Sequence, residues 1–267
     1  MVSAKKTIIA MIHVAALPGT PANRLSMSEI VSIALSDARL LVQGGVDAIM
    51  IENMHDRPYL NRKVGPEVVS AMTAVAAALR REFDLPIGIQ ILAGANRQAL
   101  AVAYAAGLDF IRAEGFVFGH LADEGIMNSD AGELLRYRKQ IGAEHIKIYT
   151  DIKKKHSSHA LSADVSIAET ARTAEFFLSD GVIVTGSATG EKAAVSDLRE
   201  VRNSIKIPVL IGSGISAENL PEYWDLADAF IVGSSLKFKG NWENAVDEPR
   251  VKELMSIVNK LRSRIVI

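Results

Sequence analysis

Eight short aliphatic runs recur along the chain: TIIAMIHV (7–14), AIMIEN (48–53), PIGIQILA (86–93), FIRAEGF (110–116), IKIYTD (146–151), GVIVTG (181–186), PVLIGSG (208–214) and AFIVGSS (229–235). Each is short, rich in β-branched residues and bounded by turn signals, as a buried strand reads. Most gaps between them carry helical spacing. SEIVSIALSDARLLVQGG offers Ser28 as a cap and a glycine stop, and GPEVVSAMTAVAAALRREF sets Pro66 in a first turn. The gap between the seventh and eighth runs holds only a short helix, SAENLPEYWDLA, and EPRVKELMSIVNKLRSR closes the chain. Strict alternation of strand and helix predicts a parallel sheet with right-handed crossovers. Eight units in 267 residues fit one closed (β/α)8 TIM barrel, with residues 1–267 as a single domain. A doubly wound open sheet would instead carry a glycine-rich fingerprint at its first turn. That turn reads HVAALPGTP, and the glycine turns come late.

Composition narrows the function. The net charge of −1 leaves no basic excess to attract nucleic acid or an anionic membrane. No apolar run is long enough to span a bilayer, and the N-terminal stretch is a poor signal peptide. The chain has no cysteine, which excludes disulfides, thiol catalysis and cysteine-ligated metal centres, and fits a cytoplasmic location.

In a barrel the last two strands are neighbours, so Gly212-Ser213-Gly214 and Gly233-Ser234-Ser235 fall side by side at the C-terminal mouth, where barrel enzymes keep their sites. Glycines there let backbone N–H groups approach an anion. A helix start in GISAENL and the hydroxyls and Lys237 of GSSLKFKG add to this, as do Gly186, Ser187, Thr189 and Gly190 after the sixth strand. Small residues also serve tight turns alone, but three adjacent turns of this kind favour a phosphate site.

Polar residues gather at the other strand ends. His13 ends the first strand, Glu52 and Asn53 the second, and Gln90 lies in the third. Arg112 and Glu114 share a face of the fourth, and Lys147, Tyr149 and Asp151 a face of the fifth. Charges inside strands buried on both faces must pair or meet a ligand. Asp151 leads the acid–base candidates, followed by Glu114 and Glu52, while Glu52 with Arg112 would also make a structural ion pair. The polar loop KKKHSSHALSAD, with Lys153, Lys155, His156 and His159, reads either as a solvated, mobile loop or as a lid that carries Lys or His onto an anionic substrate. The long stretch from 114 to 138, with His120, Asp123 and Glu124, either covers the mouth or runs over the surface. No cofactor is expected. The His, Glu and Asp set is compatible with a divalent ion, although no H-E-x-x-H motif is present.

The motifs MIHVAALPGTP, GVDAIMIENMHDRPY, VGPEVVSAMTAVA, IRAEGFVFGHLADEGIM, DIKKKHSSH, GVIVTGSATG and VLIGSGISAENL together resemble the BtpA family, which includes SgcQ-like proteins and a photosystem I biogenesis protein. The resemblance covers nearly the whole chain. It implies a barrel of the ribulose-phosphate-binding kind. It places the recurring polar positions at His13, Glu52, Asn53, Arg112, Glu114, Asp151, Lys153, Lys155 and His156. The phosphate-type turns fall at Thr185, Gly186, Thr189, Gly190, Gly212, Ser213, Gly214, Gly233 and Ser234. Two functions follow as expectations. One is a metabolic enzyme on a phosphorylated small molecule, a sugar phosphate or a nucleotide-like compound, by isomerase, lyase or hydrolase chemistry. The alternative is an assembly factor that uses the barrel as a scaffold. Barrels of this size often dimerise, so self-association is allowed.

Overall fold

In the computed structural model, which describes residues 6–186 and 192–264, the eight runs form one closed parallel barrel. In chain order the elements are β1 (Thr7–His13), α1 (Met27–Gln43), β2 (Ala48–Glu52), α2 (Pro66–Glu82), β3 (Ile87–Gln90), α3 (Asn96–Ala106) and β4 (Phe110–Ala113). They continue with β5 (His120–Ala122), β6 (Gly125–Met127), α4 (Ala131–Gln140), β7 (Lys147–Ile152), β8 (Ser157–Ser158), α5 (Ile167–Phe176) and β9 (Gly181–Thr185). The last are α6 (Val195–Ser204), β10 (Val209–Gly212), α7 (Leu220–Tyr223), β11 (Ala229–Val232) and α8 (Glu248–Ser263). The barrel runs β1-β2-β3-β4-β7-β9-β10-β11 and closes on β1. Strands β5, β6 and β8 form a separate antiparallel sheet. Each barrel strand ends within a few residues of its expected boundary. The cap of α1 is Ser26 rather than Ser28, because Ser26 makes a reciprocal capping box with Glu29.

Alternation along the strands separates two cores. Ile8, Ala10, Ile12, Ile49 and Ile51 face the helices. Ile9, Met11, Met50, Phe110, Tyr149, Ile183 and Leu210 fill the barrel interior. Gly88 faces inward because a Cβ there would lie 2.2 Å from the Phe110 ring. The same inward columns continue upward into His13, Glu52, Gln90, Arg112 and Asp151, all buried. The barrel is thus an apolar plug with a polar layer above it.

The bottom is locked by a repeat. Asp47, Asp109, Asp180 and Asp228 each precede a strand and accept a backbone N–H from its neighbour, namely Ile8 (2.8 Å), Ile87 (2.8 Å), Ile148 (3.0 Å) and Val209 (2.9 Å). Each also pairs with an arginine: Arg262, Arg80, Arg138 and Arg202 respectively. Lys147 belongs here too, 3.0 Å from Asp180, and so lies far from the mouth. These charge-assisted bonds satisfy strand ends that no ladder reaches.

Lys237 does not join the mouth. Its Nζ donates to Asp37 of α1 at 2.8 Å, with Lys237 only 1% and Asp37 5% exposed, and Asp37 also accepts the Val246 N–H at 3.1 Å. The pair ties the segment after β11 to the helical layer. Removing one partner strands the other charge, which costs about 3–5 kcal/mol, whereas replacing both by apolar groups is close to neutral. Asp37→Leu should therefore lower the unfolding free energy by about that amount, and Asp37→Leu with Lys237→Met should recover most of it. Urea unfolding of the single and double variants measures both.

Candidate active site at the barrel mouth

Arg112 and Asp151 form the centre of the polar layer. The guanidinium Nε and Nη2 donate to the two carboxylate oxygens at 2.9 Å each, and the Asp151 side chain is fully buried. Burial works against the Arg112 charge, but Asp151 more than offsets it and holds the guanidinium above its ordinary value. The expected alternative partner, Glu52, is not the one that Arg112 binds. Gly212 faces this pair. A Cβ on it would lie 3.0 Å from Ile183 Cγ2 and 3.7 Å from Arg112 Nη2. This glycine therefore gives clearance for the barrel interior.

His13 and Glu52 stand beside each other in the β1–β2 register. Burial, with help from Lys237, pushes His13 down to about 3, so its imidazole is neutral near pH 7. Its Nδ1 lies 3.0 Å from the Trp242 carbonyl, which can only accept. Nδ1 therefore carries the proton, and Nε2 keeps a lone pair. That atom lies on the Gly233 side, 3.4 Å from where a Gly233 Cβ would stand. Burial pushes the Glu52 carboxyl up, against the pull of Arg112 and Lys155.

Two cavities open from this layer. The first, about 310 Å³, is bounded by His13, Glu52, Arg112 and Lys155 on one side and by Ser213, Gly214, Gly233 and Ser234 on the other. The two late turns therefore do face one space. Ser213 and Gly214 both have positive φ (77° and 68°), while Gly233 does not (φ −120°). The turn is held by Asn219, whose side chain accepts the Ser216 N–H at 2.9 Å and donates to the Gly214 carbonyl at 2.6 Å. Helix α7 is only one turn, so the expected helix-end charge after β10 is absent, and the turn residues Ser213, Gly214, Ile215 and Ser216 line the cavity themselves. Gly186 and Gly212 lie outside the lining among the described residues. Ser187, Thr189 and Gly190 lie outside the described residues. Among the described lining residues, Arg112, Lys155, Lys192 and Arg250 are cationic, and Glu52 is the one carboxylate.

The second cavity, about 190 Å³, shares Glu52, Met54, Arg112 and Lys155 with the first and extends to Gln90, Glu114 and His156. Glu114 is set by Asn96, which accepts its N–H at 3.0 Å and donates to its carbonyl at 2.8 Å. Lys154 lies 3.3 Å from Glu114 Oε1. The stretch after β4 does cover the mouth: Asp123 and Glu124, at the β5–β6 tip, line this cavity. The loop after β7 is not a free polar excursion, because Ser157 and Ser158 pair with Ala122 and Leu121.

Three expected substrate contacts are otherwise engaged. Lys153 Nζ donates to the Ser162 carbonyl at 2.8 Å. His159 Nε2 lies 3.0 Å from the Lys154 carbonyl, and its ring stands against His120. Asn53 donates to Asp56 at 3.1 Å and accepts the Leu92 N–H at 2.7 Å, joining the loops after β2 and β3. The residues that sequence reasoning missed include Asn219, Arg250, Lys154 and Trp242. Only Trp242 carries a visible signal, an aromatic in the polar segment GNWEN, where it packs on His13 and His55 beneath the Arg57 guanidinium. Among the described residues no group of three His, Asp or Glu side chains converges to hold a metal ion. No helix among them is long and apolar enough to cross a membrane.

The chain has relatives along nearly its whole length. A model described as the BtpA family matches residues 4–260. An uncharacterised mitochondrial protein of Caenorhabditis elegans is 49% identical over 97% of this chain and 95% of its own. The photosystem I biogenesis protein BtpA of Synechocystis is 35% identical over 91% of this chain and 85% of its own. Among solved structures, thiamine phosphate pyrophosphorylase from Pyrococcus furiosus superposes with a TM-score of 0.60 at 17% identity, covering 97% of this chain and 98% of that one. Phosphoribosyl anthranilate isomerase from Thermus thermophilus gives 0.58 at 15% identity, covering 96% and 100%. At such identities these similarities speak for the barrel fold.

The His13 geometry has a pH consequence. The unfolded chain takes up a proton near pH 6.5, while the folded imidazole stays neutral to about pH 3. The unfolded state therefore binds the extra proton across this window, and stability falls as pH falls. Between pH 6.5 and 5 the loss should approach about 2 kcal/mol. Urea unfolding at pH 7 and pH 5 measures it, and His13→Gln should show a shallower loss than the parent.

Proposed function

The chain belongs to the BtpA family, and we propose that it is an enzyme that binds a phosphorylated small molecule in the first cavity and transfers a proton on it. The observation that carries this reading is the charge of that cavity: four cations and one carboxylate among its described lining residues, facing two glycine–serine turns. A dianionic phosphoryl group fits such a lining by charge and by the close backbone approach that Gly214 and Gly233 allow. Ser234 and Ser235 open a 3-10 turn, whose first N–H groups have no acceptor within the turn. The names of several structural neighbours, which carry a phosphate or a phosphoribosyl group, agree with this reading.

Glu52 and His13 supply the acid–base pair. Their environments push them in opposite directions: burial raises the proton affinity of the Glu52 carboxyl and lowers that of His13, whose Nε2 keeps its lone pair. Asp151, with both oxygens bound, serves to orient Arg112 rather than to move a proton. That reverses the expected order of the acid candidates. Arg112, at the boundary of the two cavities, is placed to stabilise negative charge that develops on substrate oxygen. An aqueous compartment suits this activity. The mitochondrial label belongs to the worm relative and the photosystem role to the Synechocystis one. The scaffold alternative gives no reason for a buried carboxyl beside a neutral histidine.

Titration calorimetry with inorganic phosphate tests the binding half. Gly214→Val places a branched side chain on a backbone at φ 68° and should weaken binding by about 2 kcal/mol or more, the order of a lost charge-assisted hydrogen bond. Unchanged affinity in the folded variant would reduce the turns to tight connections. Glu52→Gln tests the chemical half. Incorporation of solvent deuterium into a panel of sugar phosphates, followed by NMR, should drop about 10²–10⁴-fold while phosphate affinity stays within about twofold. Exchange that survives the substitution, or that never occurs with the parent, would sink the proton-transfer role.

A further inference from the structure

The second cavity contains groups that phosphate binding does not use. Gln90 is 2% exposed and its Oε1 has no hydrogen-bond partner. Glu114 is 6% exposed, and although Oε1 lies near Lys154, its Oε2 is also unpartnered. Both side chains line the same cavity. A buried acceptor without a donor costs stability, and two in one small space ask for an explanation. The rest of the wall is of the same character. Asp123 and Glu124 stand at the tip of the β5–β6 hairpin, and Glu52 forms the boundary with the first cavity. The cations here, Arg112, Lys154 and Lys155, are outnumbered by the four carboxylates, whereas the first cavity has the opposite balance. The mouth is therefore polarised, with a cation-rich end over β10 and β11 and an acceptor-rich end over β3 and β4.

We infer that the second cavity binds the hydroxyl-bearing end of the substrate, so that the ligand is a phosphorylated polyol or sugar lying across both cavities. The inference rests on the phosphate reading for the ligand's other end. A run of hydroxyls is the partner this wall asks for. With a small rotation of either side chain, each O–H can donate to the Gln90 amide oxygen or the Glu114 carboxylate, while its oxygen accepts from Lys154 or Lys155. An amine would satisfy the carboxylates but would meet Lys154 and Arg112 with like charge. An apolar group would leave both acceptors unpaired, which is how a site built for hydroxyls rejects a substrate that lacks them. The geometry also places the reacting carbon. A chain that spans both cavities must pass the shared boundary of Glu52, Arg112 and Lys155, beside His13. The carbons between the phosphoryl group and the far hydroxyls are thus the ones presented to the acid–base pair. The two volumes together fall within the lower range of ordinary small-molecule sites.

The test compares ligands that differ only at the far end. Inorganic phosphate, phenyl phosphate, glycerol 3-phosphate, ribose 5-phosphate, fructose 6-phosphate and unphosphorylated ribose and fructose are titrated calorimetrically into the full chain. At least one polyol or sugar phosphate should bind about tenfold or more tighter than inorganic phosphate, and phenyl phosphate should not. Gln90→Met, which removes the amide at similar size, should abolish that advantage, leave inorganic phosphate within about twofold, and not lower Tm, since it removes an unpartnered buried acceptor. Glu114→Gln gives the same comparison where Gln90→Met does not fold. The inference is overturned if no hydroxylated phosphate exceeds inorganic phosphate, if phenyl phosphate matches the best of them, or if the advantage survives both substitutions. Free sugar that binds in a Gln90-dependent way, with no response to inorganic phosphate, would keep the second cavity and remove the phosphate reading.

Discussion

The mouth of this barrel depends on one ion pair. Arg112 and Asp151 are both buried, on neighbouring strands, and each fills the other's hydrogen-bonding edge. Breaking such a pair leaves an uncompensated charge above an apolar plug, so the two positions are not independently variable. The surroundings follow from that. Gly212 must be small to leave room, Ile183 packs below, and the remaining charged groups of the layer sit in the field of a fixed guanidinium. Glu52 is pulled down by Arg112 yet pushed up further by burial, so its carboxyl binds a proton more readily than an exposed one. A mouth without Arg112 would have no positive charge at the boundary between its two cavities other than Lys155 among the described residues.

The barrel was legible because strands buried on both faces leave a dense, repetitive signal, and because the period of two carries on to the strand tops. His13 follows Ile9 and Met11, Glu52 follows Ala48 and Met50, and Asp151 follows Tyr149, each in an inward column. Pairing was not legible. Arg112 could meet Glu52 or Asp151 by sequence alone, and the choice depends on strand register and stagger, which are set by closure of the whole sheet. Lys237 misled for a related reason. A lysine two residues past a strand-end turn looks like a phosphate ligand, but the 3-10 turn at Ser234–Leu236 rotates it back to Asp37. Loops hid the most. The pairing of β5 with β8 joins residues some thirty-six apart and has no periodic signature, so the cover over the second cavity read as two separate excursions.

The two ends of the barrel use the same residue types for opposite purposes. At the bottom, aspartates accept strand N–H groups and arginines saturate them, in four repeats that leave each Asp with a backbone donor and a cation. At the top the Arg112–Asp151 pair is surrounded by acceptors without a partner: Gln90 Oε1, Glu114 Oε2 and Thr185 Oγ1. Burying such acceptors lowers stability, and a closed barrel can tolerate it because its plug and its foot carry the fold. Among the described residues the unpartnered buried groups of the bottom lock are donors, Arg80 Nε and Arg262 Nε, whereas the mouth leaves acceptors unpartnered. The acceptors left over at the top describe, by their chemistry, the donors that are to meet them.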